Sequence, residues 1–442
     1  MRFVASAGGA VALALAVVPM TSVQAASLNP GHEKNRIACN AAALTDAINN
    51  ANGQGGGTIE LARDCRYPLG AIDNNSGPSG GPNGLPVITT PITLRGGKGT
   101  SIERSSASGT PEFRIFEVAA PAGFLTLDDL TVRNGHADGD GADGDGGAVF
   151  VNEGRTLLLR SVTLTHNTAD RHGGAVSSDG GRVIVRSSKV DRNVSGRDSG
   201  GINNEEGALT IDSSTVDRNT AGEDGGGIAV SDDAYLTLTK SSVDRNAAVG
   251  NAGGIQSTGH LFLRSSHVDR NTAGQEGGGM VTNGTAVIDS GSVVGNTAGT
   301  DGGGIFNSSV LTIGHSSVNA NSAQRGGGIH NTAKVWIGRS VLKDNLAVTE
   351  GGGLWNDDEA TTESTDIIGN RTSGPGSRGG GVFNNSGNTV LTDTTVTRNE
   401  AVLEGGGVFE APGSEVTLVR TRVKDNDPDN CRPAGAVSGC VG

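Results

Sequence analysis

One motif, four residues ending in asparagine and most often Val-Asp-Arg-Asn, returns along most of the chain. Its asparagines are Asn134, Asn167, Asn193, Asn219, Asn246, Asn271, Asn296, Asn321, Asn345, Asn370, Asn399 and Asn426, spaced by 33, 26, 26, 27, 25, 25, 25, 24, 25, 29 and 27 residues. After each, usually nine positions later, comes an apolar residue preceded by glycines, as at Ile202, Ile228, Ile255 and Ile305. A second apolar column lies three positions before each asparagine from Asn167 onward, as at Val190, Val216, Val243 and Val268. Alternating pairs such as Leu209/Ile211, Leu236/Leu238 and Leu311/Ile313 fall between the two columns. Period-2 alternation of β-branched residues and leucine means strand. Each repeat is therefore expected to hold three short strands, with Gly, Asn and Asp at the corners.

A repeat of this length cannot bury its own apolar face, so repeats must stack. Stacking sets like residues over like at the inter-strand distance of about 4.8 Å. The valines then form a continuous apolar ladder and the asparagines an amide ladder. An inward amide left unpaired costs about 1–3 kcal/mol, which stacking removes. The expected fold is all-β: a right-handed parallel β-helix solenoid of about twelve coils with a short N-terminal capping helix. The handedness comes from the general rule for parallel crossovers.

Composition agrees with a thin core. Of 442 residues 73 are glycine and only 3% are aromatic, too few large side chains for broad globular cores. A core one coil wide needs only small apolar residues. The net charge of −13 disfavours nucleic acid and anionic membranes as partners and permits cations and neutral or basic partners.

The ends carry their own signals. Residues 1–25 read as an export signal: Arg2, an apolar run from Ala10 to Val18, and small residues at Val23 and Ala25. No other segment reads as membrane-spanning. Residues 26–110 are expected to form the N-terminal cap and first coils, 111–426 the repeats, and 427–442 a C-terminal cap. Asn40 is a fitting N-cap for an amphipathic helix with Leu44, Ala47, Ile48 and Ala51 on one face. Four cysteines in an exported chain imply disulfides, with three possible connectivities. Because the ends of a rod lie far apart, Cys39–Cys65 and Cys431–Cys440 are favoured. Prolines and a disulfide at the far end suit a terminus that does not pair.

Ala-Leu-Thr-Asp-Ala-Ile (43–48) followed by Gly-Gly-Gly-Thr-Ile-Glu-Leu (55–61) resembles the capping helix and first strand of the right-handed parallel β-helix superfamily that includes pectate lyases and polygalacturonases. Gly-Gly-Ala-Val at 146–149 and 173–176, with the Val-x-Arg-Asn motifs, is similar to the repeats of polymorphic outer-membrane proteins. The resemblance spans about residues 39–426 and implies the fold rather than an activity. The polygalacturonase signatures Asn-Thr-Asp, Gly-His-Gly and Arg-Ile-Lys are missing, so no catalytic residue is carried over.

Three features could carry chemistry. Phe306, His330, Trp355, Phe383 and Phe409 follow the Gly-Ile column, and strand alternation predicts an exposed stripe suited to sugars or a protein partner. Asp138, Asp140, Asp143 and Asp145 alternate with glycine in an insertion, a pattern suited to calcium, though without the bidentate Glu of an EF-hand. Asp357, Asp358 and Glu359 could act on a glycosidic bond, or form a solvated acidic turn. Two functions follow: a secreted, non-catalytic rod binding polysaccharide or a cell-surface protein, or a polysaccharide lyase or glycoside hydrolase. The first is favoured because no acidic or basic cluster on one sheet stands out.

Overall fold

A computed structural model describes residues 36–75, 81–231 and 233–440. The export signal expected over residues 1–25 lies outside them. Residues from Ile37 onward form one compact unit. It is a parallel β-solenoid. One representative coil runs through four short strands, Ala208–Asp212, Thr215–Asp217, Thr220–Ala221 and Ile228–Val230. Stacked on their equivalents, these build four parallel sheets, here A, B, C and D, of 14, 14, 10 and 13 strands.

Two points differ from the sequence reading. Sheet C, made mostly of two-residue strands such as Thr220–Ala221 just after the asparagine, is a fourth sheet where three strands per coil were expected. Alternation needs more residues than that to be visible. The rungs are also more numerous: Gly57–Glu60 and Pro91–Arg95, within the stretch expected to hold the first coils, belong to sheet A, and sheets A and B have fourteen rungs rather than about twelve.

Register is strict. Val190, Val216, Val243 and Val268 pair directly in sheet B. Leu209, Ile211, Val216 and Ile228 of one coil all face the core and are buried. Each such side chain contributes about 1.5–3 kcal/mol relative to exposure.

The asparagine ladder runs through the B–C corner. Asn193 Nδ2 donates to Oδ1 of Asn219 at 2.9 Å and to the Leu164 carbonyl of the preceding coil at 3.2 Å. Asn134 is not part of it. Gly135 takes the ladder position, its N–H donating to Asn167 Oδ1 at 3.0 Å, and Asn134 occupies the left-handed position before it, φ 63°. That position recurs in every coil, with Arg192, Arg218, Arg245 and Arg270 at φ 53–54°. The guanidinium groups of Arg218, Arg245 and Arg270 reach the preceding rung: Arg218 lies 2.8 Å from Asp217 and 3.4 Å from Asp191.

Two further ladders were not read from sequence. At the A–B corner the Ser188 N–H donates to Ser214 Oγ at 3.0 Å, and Ser214 repeats this to Ser241 at 3.1 Å. Inside sheet D, Asn307 donates to Asn331, Asn331 to Asn356 and Asn356 to Asn384, at 2.7, 2.7 and 2.9 Å.

Both ends are closed. The helix α1 (Ala41–Gly53) is capped by Asn40, whose side chain accepts from Ala43 N, and it buries Leu44, Ile48 and Ala51 against the first coil. The disulfides are Cys39–Cys65 and Cys431–Cys440. The C-terminus does pair once, through Cys431–Arg432 on sheet D, before it turns away.

Candidate functional site

The outer face of sheet D carries the ring column singled out above, but not as expected. Phe306, His330, Trp355, Phe383 and Phe409 do stand on consecutive coils, with adjacent ring centroids 5.2, 4.0, 6.5 and 5.1 Å apart and nearly parallel planes. They are not exposed. His330, Trp355, Phe383 and Phe409 keep 3–5% of their surface, and Phe306 is half-buried. Coil spacing explains this. Rings stacked at the rung distance cover one another's faces and leave only edges outward. Arg325 lies over Trp355 at 5.6 Å and Arg378 over Phe409 at 5.1 Å, each tied to a carboxylate on the flanking column. Arg325 holds Asp301 at 2.7 and 2.8 Å, and Arg378 holds Glu404 at 2.9 Å. Burial holds His330 down at about 4, so its ring is neutral and its 3.4 Å approach to Asp301 is no ion pair.

The aspartate loop does not gather a calcium shell. Asp143 Oδ1 accepts from Gly141 N at 2.8 Å and Gly144 N at 3.2 Å. Asp145 turns to His172 and Arg171, Asp138 shares a hydrogen bond with Asp170, and Asp140 is exposed. Two loop carbonyls that could serve a cation, Ala142 and Asp143, instead accept from the buried Arg114 guanidinium at 2.5 and 2.8 Å. Burial lowers Arg114 to about 10, opposed by Glu117, so it stays charged at neutral pH. Arg114 thus takes up two of the loop's carbonyl oxygens. Among the described residues no three His, Cys, Asp or Glu side chains converge to hold a metal.

Asp357, Asp358 and Glu359 form a turn with local partners. Asp357 Oδ1 accepts from Asn385 and Ser386, both at 2.8 Å, and Glu359 pairs with Lys334 at 2.8 Å.

The structure assembles a different cluster toward the N-terminal end of the same face. There the outward column of sheet D passes through Phe150, Ser177, Asn203 and Ala229, so rings give way to small polar side chains. His172 stands on the flanking column with Nδ1 3.3 Å from Asp145 and Nε2 3.7 Å from Asp198. Glu205 approaches Nδ1 at 4.0 Å and is itself held by Asn203 Nδ2 at 3.0 Å. The Asp145 hydrogen bond raises the His172 pKa above its ordinary value, against burial. Burial raises Asp198, although Asp224 N–H and His172 oppose it. Glu205 also lines a shallow depression of about 490 Å³ with Glu206, Ser231 and Asp233 at the D–A corner. The signal was present in the chain: Asp145, His172 and Asp198 are 27 and 26 residues apart, the coil period.

Four stacked parallel sheets joined by polar ladders define a parallel β-helix protein. No family model matches the chain and no curated protein matches it. Among solved structures it is similar to the A-module of mannuronan C-5 epimerase AlgE6 of Azotobacter vinelandii, at 16% identity over 88% of this chain and 98% of that one, TM-score 0.44. It is also similar to the tailspike protein of E. coli bacteriophage HK620 in complex with a hexasaccharide, at 13% identity over 86% and 71%, TM-score 0.45. A third similarity is to the A-module of AlgE4 from A. vinelandii, at 11% identity over 93% and 99%, TM-score 0.32. Likenesses this distant carry no functional inference.

Proposed function

We propose that the protein is exported and binds an extended glycan along the outer face of sheet D, centred on His172, Asp198 and Glu205. One observation carries this reading. The outward column changes from stacked rings to Ser177 and Asn203, both as buried as the rings, and a histidine and three carboxylates, of which Asp198 and Glu205 are the open ones, converge there beside an open depression. Long grooves with small polar floors and charged walls suit a polymer with many hydroxyl groups. Carboxylate walls favour neutral or basic glycans over acidic ones. Two disulfides suit an oxidising, extracellular location. Among the described residues no helix is long and apolar enough to cross a membrane.

In this reading the ring stack of Phe306, His330, Trp355, Phe383 and Phe409 contributes edges and stiffness to the face rather than free ring faces. The test is a pull-down on insoluble neutral, acidic and amino-sugar polysaccharides. Neutral or amino-sugar material should retain the protein, and Glu205→Gln with His172→Gln should weaken retention about tenfold or more. Equal retention of parent and variant by every polymer overturns the reading.

The same cluster supports a second reading, glycoside hydrolysis, because Asp198 is pushed toward its protonated form near the more exposed Glu205. Release of new reducing ends by the parent, lost in Asp198→Asn, would establish catalysis. Their absence leaves the binding reading in place. A cell-surface protein as partner would show as binding to whole cells that survives removal of their glycans.

A further inference from the structure

We propose that two copies of this chain pack face to face through the outer surface of sheet A, with their solenoid axes antiparallel, as a two-fold symmetric dimer. This is independent of the glycan reading.

Along the middle of that surface runs a column that includes Leu158, Ile184, Phe262, Val287, Trp336 and Val390, in register from coil to coil and not buried within the chain. The Trp336 indole lies down over Gly338, where an added Cβ would meet the ring at 2.1 Å, so the face stays flat. The two ends of the column differ in charge, although Asp212 on the sixth rung and Lys334 on the eleventh carry the opposite sign. Arg182 and Arg186 flank the column on the fifth rung, and neither makes an ion pair among the described residues. Glu359 and Glu363 flank it on the twelfth rung. Glu363 has no cationic partner among the described residues, and Glu359 has Lys334.

A two-fold axis along the strand direction, between the eighth rung (His260–Arg264) and the ninth (Ala286–Asp289), reverses the order of coils and keeps each position along the strand. It sets the fifth rung on the twelfth, so Arg182 meets Glu359 and Arg186 meets Glu363, twice per dimer. The seventh rung falls on the tenth, where Tyr235 and Val310, 51% and 46% exposed, cover each other. The sixth falls on the eleventh, and Thr210 leaves room for Trp336. Phe262 and Val287 meet across the axis itself. The eight rungs from the fifth to the twelfth, at about 4.8 Å by strands of roughly 17 Å, give roughly 650 Å² per copy, within the lower range of a stable interface. Self-complementary charge and area together select a second copy as the occupant.

The test measures mass in solution by light scattering and sedimentation for the full chain and two charge-reversed variants. The parent should be a dimer. Arg182→Glu/Arg186→Glu and Glu359→Arg/Glu363→Arg should each weaken self-association at least about 100-fold, because both contacts become like-charged. Mixing the two variants should restore a heterodimer, since every reversed contact is then opposite in sign. A monomeric parent, a trimer, variants that still self-associate, or a mixture that stays monomeric each overturns the proposal. If circular dichroism shows that a double reversal misfolds, the same cross is made with Arg186→Glu and Glu363→Arg.

Discussion

Asn219 and Asn246 are joined twice: Oδ1 of Asn246 accepts the side-chain Nδ2 of Asn219 at 3.0 Å and its backbone N–H at 2.9 Å. Asn246 in turn donates to Asn271 Oδ1 at 3.0 Å and to the Val216 carbonyl at 3.0 Å. Each asparagine thus completes the hydrogen bonding of a corner that has no other partner for it, in a position with at most 1% exposure.

Replacing Asn246 with leucine removes the acceptor that serves two buried donors of Asn219, its Nδ2 and its backbone N–H. Each orphaned group costs about 1–3 kcal/mol, so the variant should lose about 3 kcal/mol or more. Thermal denaturation compared with Arg245→Ala, an exposed neighbour, checks it. Equal losses for the two would show that the ladder is not what fixes this corner.

Asn204 is the opposite case. It sits at 0% exposure in the inner column of sheet D, but its neighbour on the next coil is Val230, and neither its Oδ1 nor its Nδ2 has a partner among the described residues. Asn204→Val should therefore raise stability by about 1–2 kcal/mol, read as a higher Tm. Asn331→Val, in the same column but hydrogen-bonded to Asn307 and Asn356, should lower it.

These contrasts mark how far the chain could be read in advance. The Val-Asp-Arg-Asn spacing and the Leu-Thr-Ile alternation specify the stack because stacking alone satisfies both at once. The end helix and the local disulfides follow from the same rod geometry. Exposure of the ring column was misjudged because strand alternation says which way Trp355 leaves its strand, not that His330 and Phe383 will cover its faces. The His172 cluster was missed because its members are adjacent only across coils, one residue per turn.

Ala320 holds the left-handed corner that precedes Asn321, at φ 53°. Gly295 fills the same corner one coil earlier and Gly369 two coils later, at φ 68° and 64°. The left-handed conformation costs an L residue roughly 1–2 kcal/mol, and glycine avoids it at some cost in unfolded-chain entropy. Ala320→Gly should consequently gain about 0.5–1 kcal/mol. Chemical denaturation at constant m-value would show it, and a loss of stability would mean that the Ala320 methyl packs more than it strains.

His172 gives a pH signature. Its pKa is raised in the folded chain, chiefly by Asp145 with a contribution from Asp198 and against Arg171. A raised pKa means that its stabilising contribution is complete below the unfolded value of 6.5 and fades as pH rises through the higher folded value. Asp198 is also raised, chiefly by burial, with the charges of Asp224 and Glu223 adding to it and His172 opposing it. The Tm difference between the parent and His172→Gln should thus be largest in mildly acidic buffer and shrink as the pH rises into the alkaline range. The local contacts predict the same dependence for Asp145→Asn, because it removes the carboxylate that keeps the proton on His172. A difference that is flat from acid to alkaline pH would mean that the imidazole stays neutral and that Asp145 holds it as a hydrogen-bond acceptor only.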